Sequence, residues 1–243
     1  MPDNVGTREE WEAARNKLLE RENEHAQQSE ELAKARRELP WVPVEKEYTF
    51  ATEEGPKTLA DLFDGRTQLI AYNIMFGPTY EAACPGCSNL ADHLDAALVH
   101  LNHRDVTLLC FSRASIEKLR AYKQRMGWQF PYVSTYENDF AFDFGLALTE
   151  EQAAEIEEIQ TALKDPDDWL RDWAEAVGTD LEHGLRENPS WWAFALEDGV
   201  VYHTYSRSAP DHDFVVPYYS QILDRTPKGR VDEFRATRRD EYE

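Results

Sequence analysis

Cysteine is scarce in this 243-residue chain: only Cys84, Cys87 and Cys110 are present. Three thiols cannot build a multi-bridge disulfide framework, nor supply four thiolates to one zinc ion or iron–sulfur cluster. Long apolar runs are missing as well. The longest, Leu69 to Phe76, is interrupted by Asn73 and falls far short of the ~20 residues a membrane span needs. The segment Met1 to Glu20 is charged and has no apolar stretch suited to a secretory signal. The expected location is therefore cytoplasmic, where thiols are kept reduced. Basic charge is also in short supply. Against 47 Asp and Glu stand 26 Lys and Arg, a formal net charge of −21. Such a surface repels phosphate backbones and anionic lipids, so neither nucleic acid nor membrane is expected as a partner.

What is present is ordinary for a globular chain: 42% hydrophobic residues, enough for a real core. Thr7 to Glu38 reads as one charged helix without Gly or Pro, stopped by Pro40, with a thin stripe of Trp11, Leu18, Leu19, Leu32 and Leu39. That stripe suits a helix laid on the domain or on a second copy of the chain, so a homo-oligomer is one expectation. Glu47 to Thr52 alternates as a strand, Glu54-Gly55-Pro56 turns the chain, and Leu59 to Phe63 is a short helical turn. Gln68 to Phe76 and Val106 to Phe111 read as buried strands. Leu90 to Leu101 and Ser115 to Met126 read as amphipathic helices, the second begun by Ser115 and ended by Gly127. Phe130 to Ser134 suits a short strand. Trp191 to Leu196, Glu197-Asp198-Gly199 and Val200 to Tyr205 give a hairpin, and Asp213 to Leu223 suits a last helix.

Alternating buried strands and amphipathic helices specify an α/β domain with parallel pairing at its centre. The organisation expected is an N-terminal helical extension (1–40), a domain formed by 41–148 and 189–225, an acidic helical insertion (149–188) and a charged tail (226–243). The insertion is dense in acid: Lys164, Arg171 and Arg186 oppose thirteen Asp and Glu, so nearly half of the net charge lies there. It also carries Trp169 and Trp173, four residues apart and expected to bury one helical face together.

The chemistry concentrates at Cys84-Pro85-Gly86-Cys87. Disulfide exchange needs an exposed nucleophilic thiolate and a second thiol near enough to resolve the mixed disulfide. Two cysteines separated by two residues at a helix start meet both needs. Free N–H groups and the dipole favour the first sulfur as an anion, and the second lies one turn below. Pro85 fits the first helical position, where its missing N–H has no intrahelical partner. Cys84 is thus the expected nucleophile and Cys87 the resolving thiol. Against this stand half of a zinc site and two inert packing cysteines. His93, His100 and His103 follow the pair, but no second knuckle does. Cys110, inside an apolar strand, reads as a small buried hydrophobe. His103-Arg104-Asp105 and Asp143-Phe144-Gly145 echo kinase loops. However, no Asn follows Asp105 closely and no phosphate-covering glycine loop exists.

A set of stretches carries a resemblance: Leu39-Pro40-Trp41-Val42, Leu62-Phe63-Asp64-Gly65-Arg66, Cys84-Pro85-Gly86-Cys87-Ser88, Met126-Gly127-Trp128 with Phe130-Pro131, Asp143-Phe144-Gly145, His203-Thr204-Tyr205-Ser206 and Thr226-Pro227-Lys228-Gly229-Arg230. From about Glu38 to Glu233 the chain resembles the DUF899 family of thioredoxin-like proteins, described as predicted dithiol–disulfide oxidoreductases. The resemblance implies a thioredoxin-like three-layer α/β/α domain, to which the residues themselves add an N-terminal helix and an acidic helical insertion. It also implies a cis-proline facing the cysteine pair. The best match is Pro189, so Asn188 and Pro189 are the expected substrate-binding residues. Departures from better-known relatives are visible. Ala83 stands where thioredoxins carry Trp, the inner dipeptide is Pro-Gly, and Glu81 stands where peroxiredoxins carry Thr.

The function expected is exchange or reduction of protein or small-molecule disulfides by Cys84 and Cys87. No cofactor and no metal is required, and electrons return from an unnamed thiol reductant. Two rivals use the same residues differently. One is a thiol peroxidase acting through a sulfenate at Cys84; the other is a non-enzymatic adaptor binding through Trp169, Trp173, Trp191 and Trp192.

Overall fold

The computed structural model describes residues 5–208, 226 and 238–241. The expected helix over 213–223 lies outside them, as does most of the charged tail. Two compact units emerge, Met1–Trp41 and Val42–Glu243. The first is a single helix, α1 (Arg8–Arg37). It opens on a reciprocal capping box: Thr7 accepts from the Glu10 N–H while the Glu10 carboxylate accepts from the Thr7 N–H. Glu9 and Glu10 lie in its first turn and Lys34, Arg36 and Arg37 in its last, each sign set against the opposing end of the dipole. None of its residues is buried.

The second unit runs β1 (Val42–Pro43), β2 (Thr49–Thr52), β3 (Gly55–Thr58), a 3-10 turn (Asp61–Phe63), β4 (Gln68–Asn73), α2 (Pro85–Ala91), α3 (Asp95–Asn102), β5 (Val106–Ser112), α4 (Ile116–Met126), β6 (Tyr132–Ser134), α5 (Phe140–Asp143), α6 (Glu150–Glu155), α7 (Glu157–Lys164), α8 (Asp168–Val177), α9 (Leu181–Gly184), β7 (Ser190–Glu197) and β8 (Val200–Ser208). One sheet takes the order β1-β8-β7-β4-β5-β6-β2-β3. β4 pairs parallel with β5 and β5 with β6, whereas β7 is antiparallel to both β4 and β8. The run β8-β7-β4-β5, with the cysteine pair between β4 and β5, is the thioredoxin-like arrangement.

Two local differences from the sequence reading have physical reasons. Gly55–Thr58 is a strand, although Pro56 and Gly55 signal a turn. β3 is the sheet edge, where the missing proline N–H removes no ladder bond. The helix expected over Leu90 to Leu101 breaks into α2 and α3. At the break, Asp92 accepts from the Trp128 indole at 2.7 Å, and Asp95 at the start of α3 accepts the N–H groups of Gln129 and Phe130. The hairpin turn between β7 and β8 follows its prediction, with Asp198 (φ 51°) and Gly199 (φ 80°) both left-handed.

Strand alternation sorts the core into two layers. On one face, Tyr72 of β4, Leu108 and Cys110 of β5 and Trp191 of β7 pack with Leu90, Leu119, Tyr122, Trp128, Trp173, Cys84 and Cys87. On the other, Leu69, Ala71, Leu109, Phe111, Trp192 and Phe194 pack with Phe50, Phe63 and Phe140. α2, α4 and α8 cover the first face; the 3-10 turn and α5 cover the second. Each fully buried aromatic contributes about 1.5–3 kcal/mol of apolar burial to this sandwich.

Candidate active site

β4 delivers the chain into a loop held by α4, by α8 and by a hydrogen bond of its own. Lys118 of α4 donates to the carbonyls of Pro78 (2.8 Å) and Tyr80 (2.9 Å). The N–H groups of Glu81 and Ala82 donate to Val177 at the end of α8. The Cys84 N–H donates to Met75 at 2.9 Å. Gly178 makes the second of these contacts feasible. It sits at φ 66°, and a Cβ there would lie 2.7 Å from the Glu81 side chain.

Cys84 is the N-cap of α2 with Pro85 at the first helical position, as the sequence indicates. Its carbonyl accepts the Ser88 N–H at 2.9 Å and the Ser88 hydroxyl at 3.0 Å, and that hydroxyl also meets Tyr122 at 2.9 Å. The three cysteines are free thiols. Cys87 is fully buried, whereas Cys84 keeps 9% exposure.

The two sulfurs have opposite acidities. Donation from the Cys87 thiol, with further donation from the Cys87 and Gly86 N–H groups and the Trp173 indole, outweighs burial and brings Cys84 down to about 6. Burial pushes the Cys87 thiol well up. The adjoining Cys84 adds to the rise, and hydrogen bonds from Tyr72 and the Met75 backbone oppose it. Cys110 lies in β5, also raised by burial, and takes no part in this pair.

Trp173 is the site residue that the sequence left unassigned to chemistry. Its Nε1–H points at the Cys84 sulfur at 3.3 Å across a separation of 89 residues. Gly184 gives the ring its room: a Cβ there would sit 2.7 Å from the indole. Tyr80 crosses the indole edge-on at 6.0 Å and donates its hydroxyl to the Gly184 carbonyl at 2.9 Å. The amphipathic spacing of α8 was a signal for burial, but not for what the ring would meet. Trp169, expected to bury beside it, is 54% exposed. A four-residue step rotates the side chain about 40° around the helix, and Leu170, Trp173 and Val177 take the inward face.

The expectation for Pro189 needs correction. There is no cis peptide among the described residues, so the Asn188–Pro189 bond is trans. The Asn188 N–H donates to Leu146 at 2.9 Å and its carbonyl accepts from the Asn73 amide at 2.8 Å. Both backbone groups that a substrate strand would need are already satisfied inside the fold. Asn188 and Pro189 thus anchor the entry to β7 next to the buried Asn73.

The fold and the cysteine pair together define a thioredoxin-like protein. The chain belongs to the family described as bacterial protein of unknown function (DUF899), whose model matches residues 1–242. No curated protein matches it significantly. Among solved structures it is similar to peroxiredoxin Q of Xanthomonas campestris (14% identity, TM-score 0.44, covering 66% of this chain and 79% of that one). It is also similar to the peroxidoxin BcpB of Mycobacterium tuberculosis (13%, TM-score 0.45, 71% and 86%). A hypothetical protein of Sinorhizobium meliloti aligns at 12% identity and TM-score 0.42, over 76% and 81%. Among the described residues, no helix is long and apolar enough to cross a membrane.

Proposed function

We propose that this protein is a dithiol–disulfide oxidoreductase in which Cys84 attacks and Cys87 resolves. The observation that carries the reading is the unequal pair. One sulfur receives donors from Trp173 and the start of α2, and the other is buried beneath it with its proton retained.

The cycle balances as follows. Cys84 thiolate attacks one sulfur of a substrate disulfide, forming a mixed disulfide and expelling the other sulfur as a thiolate that takes up a proton. Cys87 then gives up its proton and attacks Cys84, releasing the second substrate thiol and leaving a Cys84–Cys87 disulfide. Two electrons have passed to substrate, and an external thiol reductant of the reducing compartment returns them. Disulfide-bearing proteins and small disulfides are both candidate substrates at this level of description.

The test is trapping. Cys87→Ser should accumulate mixed disulfides at Cys84, identifiable by mass spectrometry, and Cys84→Ser should accumulate none. Alkylation of Cys84 should rise with a midpoint near pH 6, well below the ~8.5 of an ordinary thiol. If Cys84 alkylates no faster than Cys110 at neutral pH, the assignment fails.

A further inference from the structure

Arg238 is an arginine with almost no exposure, 3%, and it lies beside the nucleophile although 154 residues separate them in sequence. Its Nε and Nη2 both donate to the carbonyl of Ala83, the residue just before Cys84, at 3.1 and 2.7 Å. Nη2 also donates to the carbonyl of Ala176, in the last turn of the helix that carries Trp173, at 2.8 Å. One guanidinium therefore joins the two elements that enclose the Cys84 sulfur.

The short segment Arg238–Glu241 is itself fastened from several sides. Glu241 accepts from Arg238 Nη1 at 2.7 Å and from the Arg238 N–H at 3.1 Å. Arg125 of α4 donates to Asp240 at 2.6 Å and to Glu241 at 3.1 Å, and Arg239 faces Asp92 at 3.6 Å. Burying a guanidinium without partners costs several kcal/mol. Here two backbone carbonyls and a carboxylate supply them, in the planar fork geometry that arginine provides and lysine does not. With the clasp in place Cys84 is 9% and Trp173 8% exposed, too little for the surface of a folded protein to reach the sulfur.

We propose that Arg238 is the specificity-determining residue of the Cys84 site. By holding the Ala83 carbonyl to α8 it admits small disulfides and small oxidants, while a folded protein disulfide reaches the sulfur only when segment 238–241 lets go. This rests on Cys84 being the nucleophile, and the experiment separates the two ideas.

Cys84 modification is followed by mass spectrometry at neutral pH with two probes, methyl methanethiosulfonate (small) and a polyethylene glycol maleimide (bulky). The full-length protein is compared with Arg238→Ala, Arg238→Lys and the double variant Asp240→Asn/Glu241→Gln. The double variant loosens the segment without opening a void beside the site. Circular dichroism checks that each folds. Losing these charge-assisted hydrogen bonds should raise the bulky-probe rate at least about tenfold in Arg238→Ala. The small-probe rate should change far less. Arg238→Lys and the double variant should raise the bulky rate by smaller factors in the same direction. If Arg238→Ala does not fold, the double variant decides. An unchanged ratio of bulky to small rates in the folded variants, or an equal rise in both, overturns the proposal. A Cys84 in the unmodified sequence that reacts with neither probe faster than Cys110 overturns the proposed function instead.

Discussion

The two faces of the sheet carry aromatic layers of different chemistry. The face that holds the cysteines is rich in rings with a polar end: Tyr72, Tyr80, Tyr122, Tyr132, Trp128, Trp173 and Trp191. The opposite face is built largely from phenylalanine: Phe50, Phe63, Phe111, Phe140 and Phe194, with Trp192. Both layers are buried, so apolar area does not distinguish them. The polar ends do. Tyr122 meets Ser88, Tyr132 meets Ser112 at 2.7 Å, Tyr80 holds Gly184, and Trp173 meets Cys84. Hydrogen bonds of this kind set orientation in a way that ring packing alone does not. One layer stabilises; the other also positions.

The comparison is broken most strongly in the phenylalanine layer. Phe140 is fully buried and packs against Tyr48, Phe50, Phe111 and Phe144 with ring centroids 4.4–5.1 Å apart. Phe140→Ala should cost about 3–5 kcal/mol in chemical denaturation. The pH midpoint for Cys84 alkylation in the folded fraction should stay where it is. A midpoint that moves with this substitution would show that the two layers are not independent.

Outside both layers, the buried Glu187 pairs with the half-buried Arg113 at 2.8 Å, with Arg113 stacked on Phe142 and Glu187 against Gly77. Burial raises the Glu187 carboxyl to about 7, against the pull of Arg113. A raised carboxyl keeps a proton that the unfolded chain gives up. Its stabilising contribution is therefore complete below the unfolded value of ~4.3 and is lost as pH rises through about 7. Glu187→Gln should flatten the fall in melting temperature between pH 5 and pH 8, a change worth no more than about 3 kcal/mol. A variant whose pH profile parallels that of the natural sequence would remove Glu187 as the cause.

The positioning role is sharpened by Trp173 against Trp169. Trp173→Phe keeps the ring and deletes the donor, so the Cys84 thiolate loses about 1.5 kcal/mol and its alkylation midpoint should rise by about one pH unit, roughly halving the thiolate at pH 7. Trp169→Phe, at an exposed position of the same helix, should leave the midpoint unchanged. Equal effects from both would mean that the helix, not the indole donor, acts on Cys84.

The smallest effect concerns charge. Segment 149–188 concentrates thirteen acidic residues against three basic ones, and such density repels itself across a Debye length of ~10 Å at 0.1 M salt. Added potassium chloride should raise the melting temperature by a few degrees. Reversing some of the exposed glutamates to lysine should reduce the rise, and a melting temperature indifferent to salt would leave the acid excess with no role in stability.

Much of this architecture is local and was readable as such. The apolar runs of β4 and β5, the Ser115 and Gly127 caps of α4, the Asp198-Gly199 turn and the placement of Cys84 before Pro85 depend on residues within a few positions of one another. Backbone sterics and capping act over that range, so composition and spacing determine them. The partners of Cys84 are another matter. Trp173 reaches Cys84 across 89 residues and Arg238 reaches Ala83 across 155. No pattern of neighbours encodes such meetings, because they arise only when α8 is laid over the loop and segment 238–241 is folded against α2 and α4. The proline before β7 shows the same limit from the other side. Pro189 stands where a thioredoxin-like chain is expected to turn toward its cysteines, yet Asn73 and Leu146 take up both backbone groups of Asn188 and keep them inside. The sequence alone determined which cysteine stands at the start of α2 and the sheet behind it. Tertiary structure decided which groups surround that sulfur, because hydrogen-bond partners are chosen by proximity in space.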